Sequence, residues 1–243
     1  MIITALTGKR IVVTRPAHQS DALIQLLLGQ GATPIQMPLI EICSPSDGGE
    51  AMRLAISELD SFEWIVVTSA NGAAAIAGEI HGRERRPRIA AIGEATNRAL
   101  GSIADFVPSS ARGEVLAAEL PNGRGRVLLV QAEVVDGVVG SSLRSRGWSV
   151  TEVAAYQTRM LRPDTKILTR AMKAHALVLA SGSAARSWVQ SAGTRTPRFV
   201  VAVGQSTAKV SQSVGISITE VATEPTPRCV VNTLSEVFLR LYP

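Results

Sequence analysis

Serine, asparagine and glycine residues stand where an apolar predicted strand runs into a predicted helix. Ser69, Asn71 and Gly72 follow the apolar residues 65–67, and small residues typical of a helix start come next. A helix N-terminus offers backbone N–H groups without intrahelical partners and the positive end of the helix dipole. The junction therefore predicts a binding site for a carboxylate or a phosphate.

Hydroxyl residues also stand at other predicted strand-to-helix junctions. The segment ALVLASGSA at 176–184 repeats the pattern of WIVVTSANG at 64–72, which places Ser181 and Ser183 at a second strand end. Three more hydroxyl residues stand at such junctions: Thr96, Thr207 and Thr226. A single hydroxyl in this position is most often an N-cap. Five junctions of one chemistry, with few carboxylates among them, favour instead a cleft that binds a polyanion.

These junctions belong to a pattern of alternating strands and helices that occurs twice in the chain. Arg126 corresponds to Arg10 at an offset of 116 residues, and Gly204 corresponds to Gly93 at an offset of 111. Four blocks recur in one order with little drift in offset, which indicates an internal duplication. Alternating strands and helices predict an α/β fold with two parallel, doubly wound sheets and crevices at the carboxyl ends of the strands.

Several local elements are predicted with definite limits. Gly72 is expected to precede a short helix over 73–77. Three further elements are a helix over about 17–30, a helix capped by Ser46 or Asp47 that ends near Leu59, and an edge strand at 106–107. The helix over about 17–30 is expected to stop at Gly31.

The composition excludes several classes of protein. The 243 residues are 46% apolar, 19% charged and 4% aromatic, which is typical of a soluble α/β protein. The sequence shows no run of eighteen apolar residues and no secretory leader, so it predicts a cytoplasmic protein without a membrane partner. Cys43 and Cys229 are isolated and the histidines are scattered, so neither a disulfide nor a metal site is predicted.

The charge is unevenly distributed along the chain. Residues 1–122 carry 10 Lys and Arg against 13 Asp and Glu, a net −3, and residues 123–243 carry 15 against 7, a net +8. A basic half favours an anionic partner. Nucleic acid is not predicted, because aromatic residues are scarce and no nucleic-acid-binding motif occurs. No phosphate-binding glycine motif occurs either, which leaves a small polyanionic ligand and no cofactor.

The order of short motifs resembles the uroporphyrinogen-III synthase family. Along the chain these motifs are VTRP at 13–16, TSxNG at 68–72, IGxxT at 92–96, Tyr156 in an extended stretch, SxSA at 181–184, VGxST at 203–207 and PTP at 225–227. The individual motifs are short, and their order and spacing carry the resemblance. It covers essentially the whole chain.

The resemblance implies a fold and a reaction. The fold is a pair of doubly wound parallel-sheet (flavodoxin-like) domains joined by a two-stranded connection, in which the first strand and helix of each repeat pack with later elements of the other. The reaction closes the linear tetrapyrrole hydroxymethylbilane to uroporphyrinogen III, with loss of water and inversion of ring D through a spiro intermediate. The resemblance further implies a monomer without a cofactor.

The domain limits follow from the same resemblance. One discontinuous domain would comprise residues 1–38 and 160–243, and an inserted domain would comprise residues 44–153. Segments 39–43 and 154–159 would be the connecting strands. On this plan the discontinuous domain carries most of the positive charge, which suits a substrate with eight carboxylates.

The resemblance also assigns site residues one at a time. Substrate-binding positions would be Arg15, Ser69, Asn71, Gly72, Thr96, Ser181, Ser183, Thr207 and Thr226. Tyr156 matches a tyrosine near the connection, and its phenol is the predicted general acid for the departing hydroxyl. The alternative for Tyr156 is a packed ring whose O–H is satisfied. Ala180 departs from the family pattern, since a hydroxyl is common there, and residues 131–133 replace an Arg-Gly-Glu-like run.

Two other functions stay open on the residues alone. The chain could be a non-catalytic regulatory module of the same fold that binds a tetrapyrrole or another polyanion. It could also be a different two-domain α/β enzyme that acts on phosphorylated substrates. Supplying hydroxymethylbilane and identifying the product isomer would separate the three.

Overall fold

The protein folds into two compact units of similar build. The structure, a computed structural model, describes residues 4–83 and 85–241. Unit 1 comprises Met1–Glu41 with Arg159–Pro243, and unit 2 comprises Ile42–Thr158. These limits fall inside the segments 39–43 and 154–159, and the assignment of those segments as domain connections stays a prediction. Among the described helices, none is long and apolar enough to cross a membrane.

Strands and helices alternate along most of the chain. In the described residues the strands are β1 (Arg10–Val13), β2 (Thr33–Gln36), β3 (Ile40–Cys43), β4 (Trp64–Val67), β5 (Arg88–Ala91), β6 (Arg126–Ala132), β7 (Ser149–Met160), β8 (Ala176–Leu179), β9 (Phe199–Ala202) and β10 (Glu220–Val221). The α-helices are α1 (Asp21–Gly29), α2 (Glu50–Ser57), α3 (Ala70–Ile80), α4 (Glu94–Ala99), α5 (Gly113–Glu119), α6 (Val138–Ser145), α7 (Thr165–Met172), α8 (Gly182–Ala192), α9 (Gln205–Ser213) and α10 (Pro227–Leu241).

The sheet of unit 1 has the order β10-β9-β8-β1-β2, and every neighbouring pair is parallel. Its central strands are apolar throughout, because helices cover both faces of the sheet. On one face Ile11 and Val13 pack with residues of α1 and α10. On the other face Val12 packs with Trp188 of α8. This two-sided core holds the strand ends in place at the edge where the loops begin.

The sheet of unit 2 has the order β3-β7-β6-β4-β5. The pairs β4–β5, β4–β6 and β6–β7 are parallel. Ile65 of β4 packs with Ile76 of α3 on one face, while Trp64 packs with Leu116 of α5 on the other. The alternation of β4 residues between two cores explains why all four of its side chains are buried.

Each sheet combines strands from both repeats of the sequence. In unit 1, β1 of the first repeat pairs with β8 of the second, and in unit 2, β6 of the second repeat pairs with β4 of the first. Four strands have the same order in both sheets when they are matched through the repeat: β9-β8-β1-β2 in unit 1 and β5-β4-β6-β7 in unit 2. The bridge from Ala90 to Phe106 takes the place of β10, and β3 is an additional edge strand of the unit 2 sheet. The structure thus confirms the predicted fold class and its exchange of first strands between repeats.

The prediction of a helix over about 17–30 is wrong for the first turn. The chain instead forms a 3-10 turn at Ala17–Gln19, and α1 begins at Asp21. Ser20 lies between them and is fully buried; its hydroxyl donates to the Ala17 carbonyl and accepts from the Gln36 amide. A serine bonded to a nearby carbonyl competes with regular helix formation, which delays the start of α1.

Three other local predictions also need correction. Asp47 accepts the N–H groups of Gly49 and Ala51, but α2 begins only at Glu50 and ends at Ser57, before Leu59. The predicted edge strand at 106–107 is a single bridge at Phe106, because Pro108 supplies no N–H for a longer ladder. The helix predicted over 73–77 begins earlier, at Ala70.

The folding stability of unit 1 is predicted to depend on pH through His175. Its Nδ1 accepts the N–H of Arg10 at 2.9 Å, and burial, followed by the charges of Arg10 and Lys9, lowers its pKa. The unfolded chain therefore takes up the proton first, so stability should fall as the pH drops below about 6.5. We expect His175→Asn, which keeps an acceptor without titrating, to lose less thermal stability than the wild type between pH 7.5 and 5.5. Equal losses measured by circular dichroism would contradict this.

Candidate functional site

The carboxyl edge of the unit 1 sheet has a switch point between β1 and β8. After β1 the chain crosses to β2 on one side, and after β8 it crosses to β9 on the other. Loops that leave adjacent parallel strands in opposite directions open a crevice, and doubly wound folds bind ligands there. Arg15 follows β1 and Ser181 follows β8, so two predicted site residues flank the same switch point.

Arg15 places a desolvated cation at this switch point. Its side chain is partly buried, and burial lowers its pKa from the usual value. Within the described part of the chain, its guanidinium makes no hydrogen bond or ion pair. A guanidinium remains charged at physiological pH and carries five N–H donors. This combination is suited to a bound carboxylate.

Ser181 and Ser183 lie at the start of α8. Ser181 is the N-cap, and its Oγ accepts the Ala184 N–H at 3.1 Å. A serine that accepts through its oxygen still has an O–H to donate to an anion. Ser183 is half-buried in the first turn, where no acidic residue compensates the helix dipole. The capping alternative is therefore confirmed for Ser181, and capping leaves its binding role possible.

Thr207 and Thr226 lie at the same edge of the unit 1 sheet but differ in exposure. Thr207 is the third residue of α9 and is only 5% exposed. Thr226 precedes α10; its Oγ1 accepts the Cys229 N–H at 3.3 Å and its carbonyl accepts the Val230 N–H. Thr226 is half-buried and so offers more of its hydroxyl to a ligand than Thr207 does.

Cys229 lies in the first turn of α10, directly after the segment that contains Thr226. Its Sγ lies 3.0 Å from the Thr223 hydroxyl oxygen and 3.4 Å from the Glu224 nitrogen. The hydrogen bond from Thr223, followed by that from Glu224, lowers the pKa of the thiol. These two hydrogen bonds therefore favour the thiolate form of Cys229.

Three exposed cations on these helices were not among the predicted site residues. Arg228 is the second residue of α10, while Arg186 and Lys209 are the fifth residues of α8 and α9. A cation near a helix N-terminus is opposed by the helix dipole. Glu224 is the acidic residue in the loop before α10. A basic residue soon after a strand-to-helix junction was the signal that could have revealed them.

Ser69, Asn71 and Gly72 lie at the carboxyl edge of the unit 2 sheet, after β4. Ser69 is the N-cap of α3 and accepts the Gly72 N–H at 3.0 Å, as Ser181 does in unit 1. Asn71 and Gly72 are within the first turn of α3, not in a loop before it. A Cβ on Gly72 would lie 3.2 Å from the Ser69 Oγ, so a larger residue would require the capping hydroxyl to shift slightly.

Thr96 is the least exposed hydroxyl among the predicted binding residues of unit 2. It is the third residue of α4 and is 3% exposed. Glu94 stands in the same first turn, where a carboxylate already satisfies the dipole. The α4 start is therefore less suited to an anionic ligand than the α3 start.

Tyr156 lies in β7 at an irregularity of the sheet. Gln131 of β6 pairs with Ala154, but the next residue, Ala132, pairs with Tyr156, so β7 has one extra residue at this point. The Tyr156 carbonyl accepts the Glu133 N–H at 2.8 Å, which holds the backbone beyond the bulge. Bulges re-aim side chains and are common beside active sites. In the described residues, no hydrogen bond to the Tyr156 phenol is present.

The residues that replace the Arg-Gly-Glu-like run are committed to contacts within unit 2. Gln131 is buried and donates to Glu152 at 2.8 Å, and Glu152 pairs with Arg144 at 2.6 Å. Glu133 accepts from the backbone N–H of Ser46. Among the described residues, no cluster of three or more His, Cys, Asp or Glu side chains is placed to hold a metal ion.

Comparisons with known proteins agree on one family. Residues 21–232 match the family model described as uroporphyrinogen-III synthase HemD. A uroporphyrinogen-III synthase of Synechococcus elongatus is 31% identical over 63% of this chain and 62% of its own length. A porphyrin biosynthesis protein HemD of Ruminiclostridium josui is 28% identical over 69% of this chain and 35% of its own length. The matched region thus spans less than two thirds of these curated relatives.

Solved structures show the same fold. A mutant uroporphyrinogen III synthase of Thermus thermophilus has a TM-score of 0.70 at 17% identity, over 96% of this chain and 100% of that chain. A uroporphyrinogen-III synthetase of Helicobacter pylori has a TM-score of 0.60 at 14% identity, over 95% and 100% of the two chains. The family model covers far more than half of the chain, and the predicted motifs lie within or beside its limits. The chain therefore belongs to the uroporphyrinogen-III synthase family.

Proposed function

We propose that this chain closes hydroxymethylbilane to uroporphyrinogen III, with loss of water and inversion of ring D. Membership of the family supports the reaction class. The observation that carries the proposal is the carboxyl edge of unit 1, where Arg15 lacks a carboxylate partner within the described residues and three helices begin without an acidic residue in the first turn. This edge is suited to a substrate with many carboxylates.

Charge supports the same assignment. Residues 1–41 and 159–243 carry 14 Lys and Arg against 6 Asp and Glu, a net +8, whereas residues 42–158 carry 11 against 14, a net −3. A net positive unit attracts a polyanion over distances beyond direct contact, and the attraction weakens with salt. We propose that the two units are the two domains of the enzyme, joined through 39–43 and 154–159, and that a single chain is the acting unit.

Tyr156 is the proposed general acid. The phenol would donate its proton to the hydroxyl of the substrate, which leaves as water while pyrrole nitrogen electrons form the azafulvene. The phenolate then regains a proton when the ring-closed intermediate loses one. The bulge at Tyr156 and the absence of a hydrogen-bond partner among the described residues support a phenol whose proton is available to the substrate.

The hydroxyl residues are proposed to bind and not to react. Ser69, Asn71 and Gly72 in unit 2, and Ser183, Thr207 and Thr226 in unit 1, would present O–H and N–H donors to substrate carboxylates. Each charge-assisted hydrogen bond contributes about 1.5–3 kcal/mol. Because Thr96 and Thr207 are nearly buried, each should contribute less to the free energy of substrate binding than the capping residues do.

Ser181 allows capping to be separated from binding. We expect Ser181→Ala to lower the free energy of unfolding by about 1 kcal/mol, because the Ala184 N–H loses its acceptor. Ser181→Asp should keep the cap, and with it the stability, yet raise the apparent KM because its charge repels a substrate carboxylate. Urea unfolding and steady-state kinetics measure the two effects. An unchanged KM in Ser181→Asp would remove Ser181 from the binding site.

The function is tested by the isomer of the product. Purified protein is given freshly prepared hydroxymethylbilane, and the products are oxidised and resolved by chromatography. Excess type III supports the proposed synthase. Only type I, the product of spontaneous closure, would contradict catalysis and favour a non-catalytic tetrapyrrole-binding module.

A further inference from the structure

We propose that Thr14 is a positioning residue, and that its buried hydroxyl sets the separation between the Arg15 and Ser181 loops. This inference rests on the proposed function of the unit 1 edge. Thr14 is fully buried at the end of β1, directly before Arg15. Its Oγ1 donates to the Val178 carbonyl at 2.8 Å and accepts the Ala180 N–H at 3.2 Å. Ala180 in turn directly precedes Ser181.

The equivalent point in unit 2 is built differently. By the repeat offsets, Val130 corresponds to Thr14 and Thr68 corresponds to Ala180. There the Thr68 N–H donates to the Val130 carbonyl at 3.1 Å, and the Thr68 hydroxyl lies 3.3 Å from the same oxygen. The backbone ladder thus continues one step further in unit 2, and the hydroxyl comes from the opposite strand.

In unit 1 a hydrogen bond to the Thr14 hydroxyl takes the place of that last backbone hydrogen bond between the strands. The Ala180 N–H reaches the side chain of Thr14, not its carbonyl. The carbonyl of Thr14 instead faces the Leu39 N–H at 3.5 Å, on the side of β1 that is away from β8. A side-chain acceptor stands farther from the strand axis than a carbonyl in the ladder, so β1 and β8 separate here. The switch point opens at the residues that precede Arg15 and Ser181.

This arrangement also accounts for the departure at Ala180. The family resemblance predicts a hydroxyl at this position, and Thr68 supplies one at the equivalent place in unit 2. In unit 1 the hydroxyl is supplied by Thr14 instead. Arg15 therefore directly follows Thr14, the residue whose hydroxyl connects the end of β1 to the end of β8.

Three variants separate positioning from stability. Thr14→Ser keeps the hydroxyl and should retain both stability and KM. Thr14→Val removes it, so we expect lower stability and an apparent KM raised about fivefold, with kcat changed less than about twofold. Thr14→Val with Ala180→Thr copies the Val130 and Thr68 pair of unit 2. It should recover the midpoint of thermal unfolding while the KM stays raised, because its strand ends close as they do in unit 2.

Binding is measured beside turnover so that this inference can fail independently of the proposed function. The probe is uroporphyrin, an octacarboxylate, with binding read from quenching of tryptophan fluorescence. If the wild type makes no type III product but binds the probe, the proposed function fails and the Kd series still tests Thr14. An unchanged Kd and KM in Thr14→Val, or full recovery of both in the double variant, would overturn the positioning role. A Kd raised in both variants supports it.

Discussion

Tyr156→Phe is expected to lower kcat about tenfold or more, because the substituted ring fills the same space but has no proton to give to the departing hydroxyl. The position supports a specific loss. Tyr156 lies at the β7 bulge, and its backbone is held by the Glu133 N–H, so removal of the phenol oxygen should leave the strand pairing intact. Single-turnover formation of type III product measures the effect directly.

The KM and the stability of this variant are the controls. In the described residues the Tyr156 phenol makes no hydrogen bond, so its removal should change the free energy of unfolding by less than about 0.5 kcal/mol. The KM should also change little if the phenol acts only in the transition state. A kcat close to that of the wild type would show that another group, or water, protonates the leaving hydroxyl.

Arg15→Met is expected to raise the apparent KM between about 10-fold and 150-fold. Loss of one charge-assisted hydrogen bond to a carboxylate removes about 1.5–3 kcal/mol, and each 1.4 kcal/mol corresponds to a factor of ten. Arg15→Lys should give a smaller rise, since an ammonium keeps the charge but cannot form the paired N–H contacts of a guanidinium. Steady-state kinetics at several salt concentrations measure both.

The matched control for Arg15 lies at the other end of the same strand. Arg10 begins β1, and its guanidinium donates to the Lys173 carbonyl at the amino edge of the sheet. Arg10→Met removes the same charge from the same unit, so it reports the general effect of net charge on substrate attraction. An equal rise in KM for Arg10→Met and Arg15→Met would show that Arg15 acts through net charge and makes no direct contact.

Stability gives a second readout for Arg15. Burial already disfavours its charge, and no partner among the described residues compensates. Its replacement by methionine should therefore keep or raise the free energy of unfolding. A residue that lowers stability but improves binding is retained for its ligand, and a stability loss of more than about 1 kcal/mol would argue for a structural role instead.

Local sequence was sufficient for much of the fold because short apolar runs report burial directly. The four residues of β4 and of β8 are completely buried, as their apolar runs predict. The limits of α1 and α2 were wrong because they depend on single side-chain bonds. Ser20 bonds to Ala17 and Gln36, and Asp47 satisfies N–H groups ahead of the α2 start.

The sequence predicted which strand-to-helix junctions contribute to the candidate site, but it did not predict the burial or the contacts of their side chains. Ser69 and Ser181 were identified from the repeat, and both are N-caps with nearly identical hydrogen bonds. The burial of Thr96 and Thr207 could not be read from their motifs, since it depends on how α4 and α9 pack. Thr14 lies in the VTRP motif at 13–16, but nothing in the motif showed that its hydroxyl bonds to the backbone of β8 and of Ala180.

The sequence by itself determined the repeat, the strand-to-helix junctions and the charge of each segment, because these depend on residues close together in the chain or on their sum. The exchange of first strands was implied only by the family resemblance, and the tertiary structure decided which strand ends meet. β1 pairs with the distant strand β8 as well as with the next strand β2, and β6 pairs with the distant strand β4 as well as with β7. The apolar pattern of one buried parallel strand does not distinguish one partner from another. The hydrogen bonds of Thr14 to β8, the lack of a partner for the Arg15 guanidinium among the described residues and the bulge at Tyr156 were visible only in the paired strands.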